Sequence, residues 1–286
     1  MSKIGIIGGS GLYKIDGLEI IKQLKVKTPF GEPSDKFTLG RLEGKEVVFL
    51  PRHGVGHRIP PSQINYRANI FAMKKLGAQR VISVTACGSL KEGLKPLDFV
   101  VVDQFVDRTN HGRDTTFFDR GMVAHIVFSH PVCPQLSASI YAAGKELNLN
   151  MHKGGTYLNM EGPQFSTLAE SKLYRSWGMD VIGMTNMAEA RLCREAEICY
   201  STLACITDYD CWHPDQSSVT LEMVMSNLQK NIDNAKKLIC QVVKGLGSQR
   251  TCSCGDALKF AIVTDKKLIP SKTKKDLGII IGKYLE

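Results

Sequence analysis

The sequence predicts an α/β fold in a single domain. Short runs of β-branched and other apolar residues alternate with segments of helical periodicity, as in sheets whose strands are joined by helices. One predicted helix ends at Gly77 and is followed at once by a strand over Arg80–Ala86, which indicates a strand–helix–strand unit. No long linker or internal repeat divides the 286 residues. We therefore predict one domain over residues 1–286, with 255–286 as a C-terminal extension.

The alternation predicts seven strands and five helices. The predicted strands are Ile4–Ile7, Glu46–Pro51, Arg80–Ala86, Asp98–Phe105, Gly155–Met160, Val181–Met184 and Cys199–Thr207. The predicted helices start near Ile64, Gln135, Leu168, Glu189 and Val219. The last of these has the clearest pattern, because apolar residues recur at helical spacing up to Gly245, which is typical of a C-cap.

Composition narrows the class of protein. A hydrophobic content of 43% with 23% charged residues is ordinary for a soluble globular chain and excludes a disordered or collagen-like one. No apolar run approaches the roughly 18 residues of a membrane helix, and the opening residues do not resemble a secretory signal. We expect a cytoplasmic protein with no membrane partner.

The net charge of +9 is spread along the chain, with one lysine cluster between Lys266 and Lys275. A solvated tail and a site for an acidic partner are both open interpretations of that cluster. No aromatic residues are interleaved with it, so a nucleic-acid partner is not expected.

Nine cysteines are present, and most are expected to be small buried apolar residues. Cys252 and Cys254 form the one close pair. A zinc site would need CxxC pairs or histidines at ligand spacing, and none is nearby, so no metal is predicted. Reduced thiols and a disulfide both remain open; in a heat-stable protein we expect oxidation, with Cys252 and Cys254 joined to each other or to Cys199 or Cys205.

Three predicted strands end in residues suited to phosphate. Ligands of open α/β sheets bind beyond the carboxyl ends of the strands. The three segments are Gly8-Gly9-Ser10-Gly11, Arg52-His53-Gly54 and Thr85-Ala86-Cys87-Gly88-Ser89. Glycine N–H groups, a guanidinium and small hydroxyls all bind anions. The glycine turn fits neither the GxGxxG nor the P-loop pattern, so an ordinary tight turn remains an alternative. For the other two segments the alternatives are a surface arginine at Arg52 and a helix N-cap at Ser89.

Three further strand ends carry groups suited to a nucleoside. Glu161 can accept from vicinal ribose hydroxyls, while Met184 and Phe165 can contact a planar ring or belong to the core. Asp208 and Asp210 follow the last predicted strand. The alternative is that these two carboxylates are simply solvated. A metal site is not expected, because no third ligand is clustered with them in the sequence.

Seven ordered motifs together resemble the trimeric purine nucleoside phosphorylase superfamily, and within it the members that act on S-methyl-5′-thioadenosine. The motifs are Gly8-Gly9-Ser10-Gly11, Arg52-His53-Gly54, Ile64-Asn65-Tyr66-Arg67-Ala68-Asn69, Thr85-Ala86-Cys87-Gly88-Ser89, Glu161-Gly162-Pro163-Gln164-Phe165, Met184-Thr185 with Glu189, and Thr207-Asp208-Tyr209-Asp210-Cys211-Trp212. They span roughly residues 3 to 250. The resemblance implies a twisted mixed β-sheet flanked by helices.

The resemblance also implies an activity and a set of site residues. The reaction is phosphorolysis of the substrate to adenine and 5-methylthioribose 1-phosphate, in purine and methionine salvage. Phosphate is a co-substrate, no metal or organic cofactor is expected, and the assembly is a homotrimer or a dimer of trimers. The implied phosphate site is Ser10, Arg52, His53, Thr85, Ala86 and Thr185. The implied nucleoside contacts are Met184 and Glu161 at the ribose, Phe165 beside the base, Asp208 and Asp210 at the purine, and Val219, Leu221, Val224 and Met225 at the 5′-thiomethyl group.

The chemistry of the reaction fits these residue types. Breaking the N-glycosidic bond leaves negative charge on the purine, which a proton donor at N7 offsets. Asp208 must then be protonated, as burial would allow. A broader purine nucleoside phosphorylase acting on adenosine, inosine or guanosine is the nearer alternative, and Asp rather than Asn at 208 argues against it. A non-catalytic binding module is the more distant one.

Overall fold

A computed structural model of the chain describes residues 3–9, 11–12, 15–110, 112–214 and 221–285, apart from the side chains of residues 221–224. Across these residues one mixed sheet of eleven strands is flanked by helices, which confirms the predicted α/β class. The strands are β1 (Lys3–Gly8), β2 (Glu19–Leu24), β3 (Phe37–Leu42), β4 (Lys45–Pro51), β5 (Ala78–Ser89), β6 (Phe99–Val102), β7 (Gln104–Arg108), β8 (Met151–Lys153), β9 (Thr156–Met160), β10 (Val181–Gly183) and β11 (Cys199–Asp208).

Parallel pairing gathers four strand ends at one edge of the sheet. Strand β1 lies between β4 and β5 and runs parallel to both, and β11 runs parallel to β5. The carboxyl ends of these strands therefore meet. Strand β10 runs antiparallel to the end of β5, with Val181 opposite Ser89 and Ile182 opposite Gly88. This direction carries the residues after β10 back along β5 toward Thr85.

The helices cover both faces of the sheet. They are α1 (Tyr66–Lys75), α2 (Pro134–Glu146), α3 (Leu168–Ser176), α4 (Asn186–Glu195), α5 (Leu221–Gly245), α6 (Ser271–Asp276) and α7 (Gly278–Ile281). Successive strand residues point to opposite faces, so Val48 of β4 packs with α1 and α4, whereas Phe49 packs with α2 and α5. The central strands are buried on both faces, which explains their nearly continuous apolar runs. No helix within the described ranges is both long and apolar enough to cross a bilayer.

Every predicted strand is present, but Asp98–Phe105 is two strands, β6 and β7. The chain breaks at Asp103, whose carboxylate accepts from the Gly155 N–H at 3.0 Å. After the break, β7 pairs with β9 instead of β11. Strands β2, β3 and β8 were not predicted. In β2 the adjacent Ile20 and Ile21 are both exposed, so the strand lacks the alternation that signals a half-buried strand.

The predicted helix starts are close to the observed ones, the largest shift being from Glu189 to Asn186. Local capping explains two of the starts. The Asn65 side chain accepts from the Ala68 N–H ahead of α1, and Thr167 and Glu170 form a capping box at α3. The predicted start at Val219 lies outside the described residues; the described helix begins at Leu221.

The solvated-tail interpretation of the C-terminal lysine cluster is wrong for the segment that carries it. Between residues 258 and 281 the chain buries six apolar side chains in the same core as α1 and α4. They are Leu258, Ala261, Ile269, Leu277, Ile280 and Ile281. The lysines stand between these residues, and Lys267 remains exposed. The extension is thus part of the domain core, with the charge on its outer side.

We expect Ile281→Ala to lower the free energy of unfolding by about 2–5 kcal/mol, because it leaves a cavity in the main core. Urea denaturation measures the change. Lys267→Ala is the matched control on the exposed side of the same segment and should stay within about 0.5 kcal/mol of the parent. Equal, small effects of both substitutions would show that the segment does not contribute to the core.

Candidate active site

Three of the predicted anion-binding segments adjoin at the carboxyl edge of the sheet. The Arg52 backbone N–H donates to the Gly8 carbonyl at 2.9 Å, which fixes the Arg52 segment beside the glycine turn. The Arg52 side chain then reaches β5, where Nη1 donates to the Val84 carbonyl at 3.0 Å and Nη2 to Ser83 Oγ at 2.6 Å. Thr85 is the next residue of that strand.

Arg52 forms a buried ion pair with Glu189 of α4, a role that was not predicted for either residue. Nε donates to Oε1 at 2.5 Å and Nη2 donates to Oε2 at 3.2 Å. The two side chains are 3% and 2% exposed. Burial by itself lowers the pKa of Arg52, but the Glu189 carboxylate outweighs it and holds that pKa above its ordinary value. One of the five guanidinium N–H groups, on Nη1, makes no bond among the described residues.

The ion pair lies in a buried polar network. Ser83 Oγ and the Tyr200 hydroxyl donate to Glu189 Oε2 at 2.6 and 3.1 Å. The Asn186 amide donates to Ser83 Oγ, to the Tyr200 hydroxyl and to Thr202 Oγ1. Because each member is bonded to others, Glu189 and Arg52 are held in one arrangement.

His53 is a neutral acceptor at pH 7. Burial, and next the charge of Arg52, lower the pKa of His53 to about 4. Nδ1 lies 2.8 Å from the Ile59 carbonyl, so this nitrogen carries the proton and Nε2 is left as an acceptor. The His57 ring stacks on His53 with centroids 4.1 Å apart. An anion bound at Nε2 must therefore supply the hydrogen.

Tyr157 joins the Thr85 and Thr185 segments and was not predicted. Its hydroxyl is buried and makes no hydrogen bond among the described residues, although Thr85 and the Thr185 backbone are close polar neighbours. A Cβ on Gly183 would fall 1.9 Å from the hydroxyl oxygen, so only glycine fits there. Burial raises the pKa of Tyr157, which keeps the hydroxyl protonated. The structure thus places a buried, protonated hydroxyl between two predicted phosphate residues.

Thr185 precedes the first turn of α4, and its side chain makes no capping bond. The N–H groups of a helix N-terminus attract anions. Ala86 is exposed, whereas its neighbours Thr85 and Cys87 in β5 are buried. The surface therefore opens to solvent next to the predicted phosphate residues.

Glu161, which the resemblance implied at the ribose, forms an ion pair with Arg113 in the structure. Arg113 Nη2 donates to Glu161 Oε1 at 3.0 Å, and the two side chains are 3% and 10% exposed. Nη1 of the same arginine donates to the Met184 carbonyl. Met184 packs over Gly162, where a Cβ would meet its sulfur. Arg113 thus ties the ends of β9 and β10 together.

Asp208 and Asp210 lie against the end of β5. A Cβ on Gly88 would fall 2.9 Å from Asp208 Oδ1 and 3.4 Å from Asp210 Cβ. Asp208 accepts from the Thr207 hydroxyl at 2.6 Å and from the Asp210 N–H at 2.8 Å. Burial raises the pKa of Asp208, and the Asp210 charge adds to that rise against the two hydrogen bonds.

Asp210 has the second buried carboxyl of this pair. Burial is the main reason that its pKa is also raised. Its Oδ2 is buried without a hydrogen-bond partner among the described residues, and its backbone is left-handed at φ 53°. An unpartnered buried carboxyl oxygen is costly, and a ligand that donates a hydrogen bond would satisfy it.

The remaining predicted residues are either exposed or outside the described part of the chain. Phe165 and Met225 are 50% and 54% exposed, so neither is enclosed by the described residues. Ser10 and Val219 lie outside the described residues, and so do the side chains of Leu221 and Val224 on α5.

The edge of the sheet therefore combines two kinds of group. One is a set of polar groups around Thr85 that were predicted to bind phosphate, and the other is a pair of carboxyls with raised pKa at the end of β11. Asp208 is opposite Gly88, three residues beyond Thr85 and about 10 Å along the strand. That separation leaves room for a small molecule between an anion and a carboxyl donor.

Comparison with known proteins identifies the family. The model of the phosphorylase superfamily matches residues 3–244. An S-methyl-5′-thioadenosine phosphorylase of Geobacter sulfurreducens is 54% identical, with 99% of each chain covered, and one of Thermosynechococcus vestitus is also 54% identical with the same coverage. These alignments include the C-terminal segment that the sequence motifs left uncovered.

Solved structures of similar fold belong to the same group of proteins. A methylthioadenosine phosphorylase sourced from an antarctic soil metagenomic library has a TM-score of 0.93 at 46% identity, with 98% of each chain covered. The methylthioadenosine phosphorylase of Schistosoma mansoni in complex with adenine has a TM-score of 0.85 at 34% identity, covering 91% of this chain and 96% of that one. With a family model over most of its length and relatives this similar from end to end, the chain belongs to the phosphorylase superfamily.

Proposed function

We propose that this protein catalyses the phosphorolysis of S-methyl-5′-thioadenosine to adenine and 5-methylthioribose 1-phosphate. The relatives that match it over nearly the whole chain carry that activity in their names. The geometric observation that carries the proposal is the buried Asp208 carboxyl, whose pKa is raised, at the same sheet edge as the Arg52 and Thr85 segments. The reaction uses inorganic phosphate as co-substrate and no organic cofactor.

The proposed reaction breaks the bond between C1′ of the ribose and N9 of the purine, and a phosphate oxygen forms the new bond to C1′. Positive charge develops on the ribose and negative charge on the purine. Bound phosphate offsets the first, and a proton from Asp208 at purine N7 offsets the second. Because the pKa of Asp208 is raised by burial, the carboxyl can hold that proton.

The phosphate side of the site favours a protonated anion. Nε2 of His53 can only accept at pH 7, so it pairs with a phosphate O–H group. The remaining Nη1 hydrogen of Arg52 and the N-terminus of α4 can donate to the other oxygens, and so can the Thr85 hydroxyl if it exchanges the Ala86 carbonyl, to which it donates at 3.1 Å, for the ligand. This division of donors and acceptors suits hydrogen phosphate.

The 5′ end of the proposed substrate is an apolar thioether. Val219, Leu221, Val224 and Met225 are proposed to contact it, since valine, leucine and methionine suit an apolar group better than a hydrogen-bonding side chain would. Phe165 and Met184 are proposed beside the base and the ribose. A broader nucleoside phosphorylase would have to bind a 5′-hydroxyl with the same apolar residues, which leaves that hydroxyl unpaired.

Purified protein is expected to release adenine from S-methyl-5′-thioadenosine only when phosphate is present, because the anion site binds the attacking group. Chromatographic measurement of adenine with and without phosphate checks this. Equal release in phosphate-free buffer would identify a hydrolase and contradict the proposal.

Arg52→Lys is expected to raise the KM for phosphate at least about tenfold, with little change in the KM for the nucleoside. A single ammonium cannot replace the fork that reaches Glu189, Ser83 and Val84 together, and a charge-assisted hydrogen bond is worth roughly 1.5–3 kcal/mol. Initial-rate kinetics with each substrate varied in turn gives both constants.

Arg58→Lys is the control for this change, since Arg58 is also ion-paired, to Asp35 at 2.9 Å, but is 59% exposed. It should leave both constants unaltered. A parent-like KM for phosphate in Arg52→Lys, together with a lower melting temperature, would reduce Arg52 to a structural ion pair.

Asp208→Asn is expected to lower kcat/KM for S-methyl-5′-thioadenosine by about 10²–10⁴-fold, the usual contribution of a proton donor. A protonated carboxyl donates to N7 and accepts from the 6-amino group, whereas an amide NH₂ can serve a 6-oxo group. The variant should therefore shift preference toward methylthioinosine. The measurement is the ratio of kcat/KM for the two nucleosides.

Asp210→Asn, measured in parallel, separates the two carboxyls, and Asp233→Asn on the exposed side of α5 is the control that should leave the ratio unchanged. If Asp208→Asn keeps the ratio within about twofold, a difference of only about 0.4 kcal/mol, Asp208 does not recognise the base.

The proposal includes a homotrimer or a dimer of trimers in the cytoplasm. Exposed apolar side chains on two segments paired through Ala124 and Ile262 support association, because such patches mark interfaces. They include Val127, Phe260 and Val263, which are 75%, 91% and 64% exposed. Sedimentation of the active protein as a monomer would refute the assembly.

A further inference from the structure

Four cysteines from three separate parts of the chain come together far from the proposed active site. The sulfurs of Cys133, Cys199, Cys252 and Cys254 all lie within 4.8 Å of one another. All nine cysteines of the chain lie among the described residues, and each is a free thiol, so of the open alternatives for Cys252 and Cys254 the structure shows reduced thiols. Cys205, the other predicted partner, is not in the cluster.

The spacing of the sulfurs suits a metal ion better than a disulfide. The sulfurs of Cys199 and Cys252 are 3.2 Å apart. A disulfide would bring them to about 2.05 Å. Four thiolates at about 2.3 Å from one tetrahedral zinc ion stand about 3.8 Å apart, which is between the 3.2 Å of this pair and the 4.8 Å limit of the cluster.

We propose that Cys133, Cys199, Cys252 and Cys254 form a structural zinc site. Four-coordinate sulfur ligation is typical of structural zinc, since it leaves no open position for a substrate. Binding displaces four thiol protons and changes no oxidation state, so no oxidant or reductant is needed. The sequence argument against zinc relied on neighbouring ligand pairs; here only Cys252 and Cys254 are neighbours, and the fold supplies the other two.

The surroundings of the cluster can stabilise four thiolates, which with zinc carry a net charge of −2. Cys133 is the N-cap of α2, and its side chain makes no capping bond there; the helix N-terminus favours a thiolate. Arg80 and Arg250 line a cavity of about 120 Å³ together with Cys133, Cys199 and Cys252. Their side chains donate to backbone carbonyls and form no ion pair among the described residues, so their positive charge can stabilise the thiolates.

A route for the ion is present. Cys252 is only partly buried, and Cys252 and Cys254 line a surface cavity of about 870 Å³. Zinc can therefore enter from the C-terminal segment, and a chelator can remove it by the same way.

The location makes the site structural. Cys199 begins β11 and Asp208 ends it, so the cluster is about 30 Å from the proposed purine site. Zinc at this position would join α2, β11 and the segment that leads into the buried C-terminal residues. We therefore expect its removal to loosen that segment and leave the chemistry intact.

The test begins with wild-type protein purified under reducing conditions and reconstituted with zinc. Elemental analysis should find one zinc per chain. The double variant Cys252→Ser/Cys254→Ser loses two of the four ligands, so its zinc affinity should fall by more than about 100-fold. Substituting residues that only hydrogen-bond to metal ligands typically lowers affinity by roughly 10–100-fold. Cys240→Ser, a partly buried cysteine outside the cluster, is the matched control and should retain zinc fully.

Two measurements on the unaltered protein keep the proposal testable if the double variant does not fold. A chelator should lower the melting temperature and make four thiols newly reactive, while kcat/KM below that temperature stays within about twofold. Cobalt in place of zinc should give the visible and near-ultraviolet bands of tetrahedral thiolate coordination. Any of three results overturns the proposal: reconstituted protein that holds no metal although all nine cysteines are reduced, stoichiometric iron in place of zinc, or a mass that lacks two hydrogens for each disulfide formed among the four.

Discussion

The candidate site depends on the buried ion pair between Arg52 and Glu189. A guanidinium without water requires a carboxylate partner, and breaking such a pair by removing one member costs about 3–5 kcal/mol. The pair joins the end of β4 to the first turn of α4, and through Ser83 it includes the centre of β5. Elements that are distant in sequence are therefore held in one register at the edge where ligands of such sheets bind.

The same constraint leaves Arg52 with a small remaining capacity for a ligand. Most of its donors are used within the protein, so its main contribution to an anion is charge and the position of neighbouring groups. Burial and, next, that charge lower the pKa of His53 and leave its ring neutral. Burial and a fixed cation thus leave a neutral acceptor at the proposed phosphate site, which suits an anion that carries a proton.

At the end of β11, burial changes the protonation of acidic side chains. Burial is the main reason that the pKa values of Asp208 and Asp210 are both raised, and the Asp210 charge adds to the rise at Asp208. The other end of β11 carries Cys199 of the cysteine cluster. One long central strand therefore carries a proposed catalytic carboxyl at one end and a ligand of the proposed structural metal at the other, about 30 Å apart.

Local sequence patterns predicted the α/β class, six of the seven strands as single strands and the segments at the strand ends, because apolar periodicity and turn residues are properties of neighbouring positions. Asp208 and the Thr85 segment could be selected for the same reason. Four further features depend on contacts between distant positions and became visible in the folded chain: the partner of Arg52, the binding of Glu161 by Arg113, the burial of the C-terminal residues and the clustering of four cysteines. These arrangements join positions up to about two hundred residues apart, and local periodicity carries no information about which such positions meet once the strands are in register.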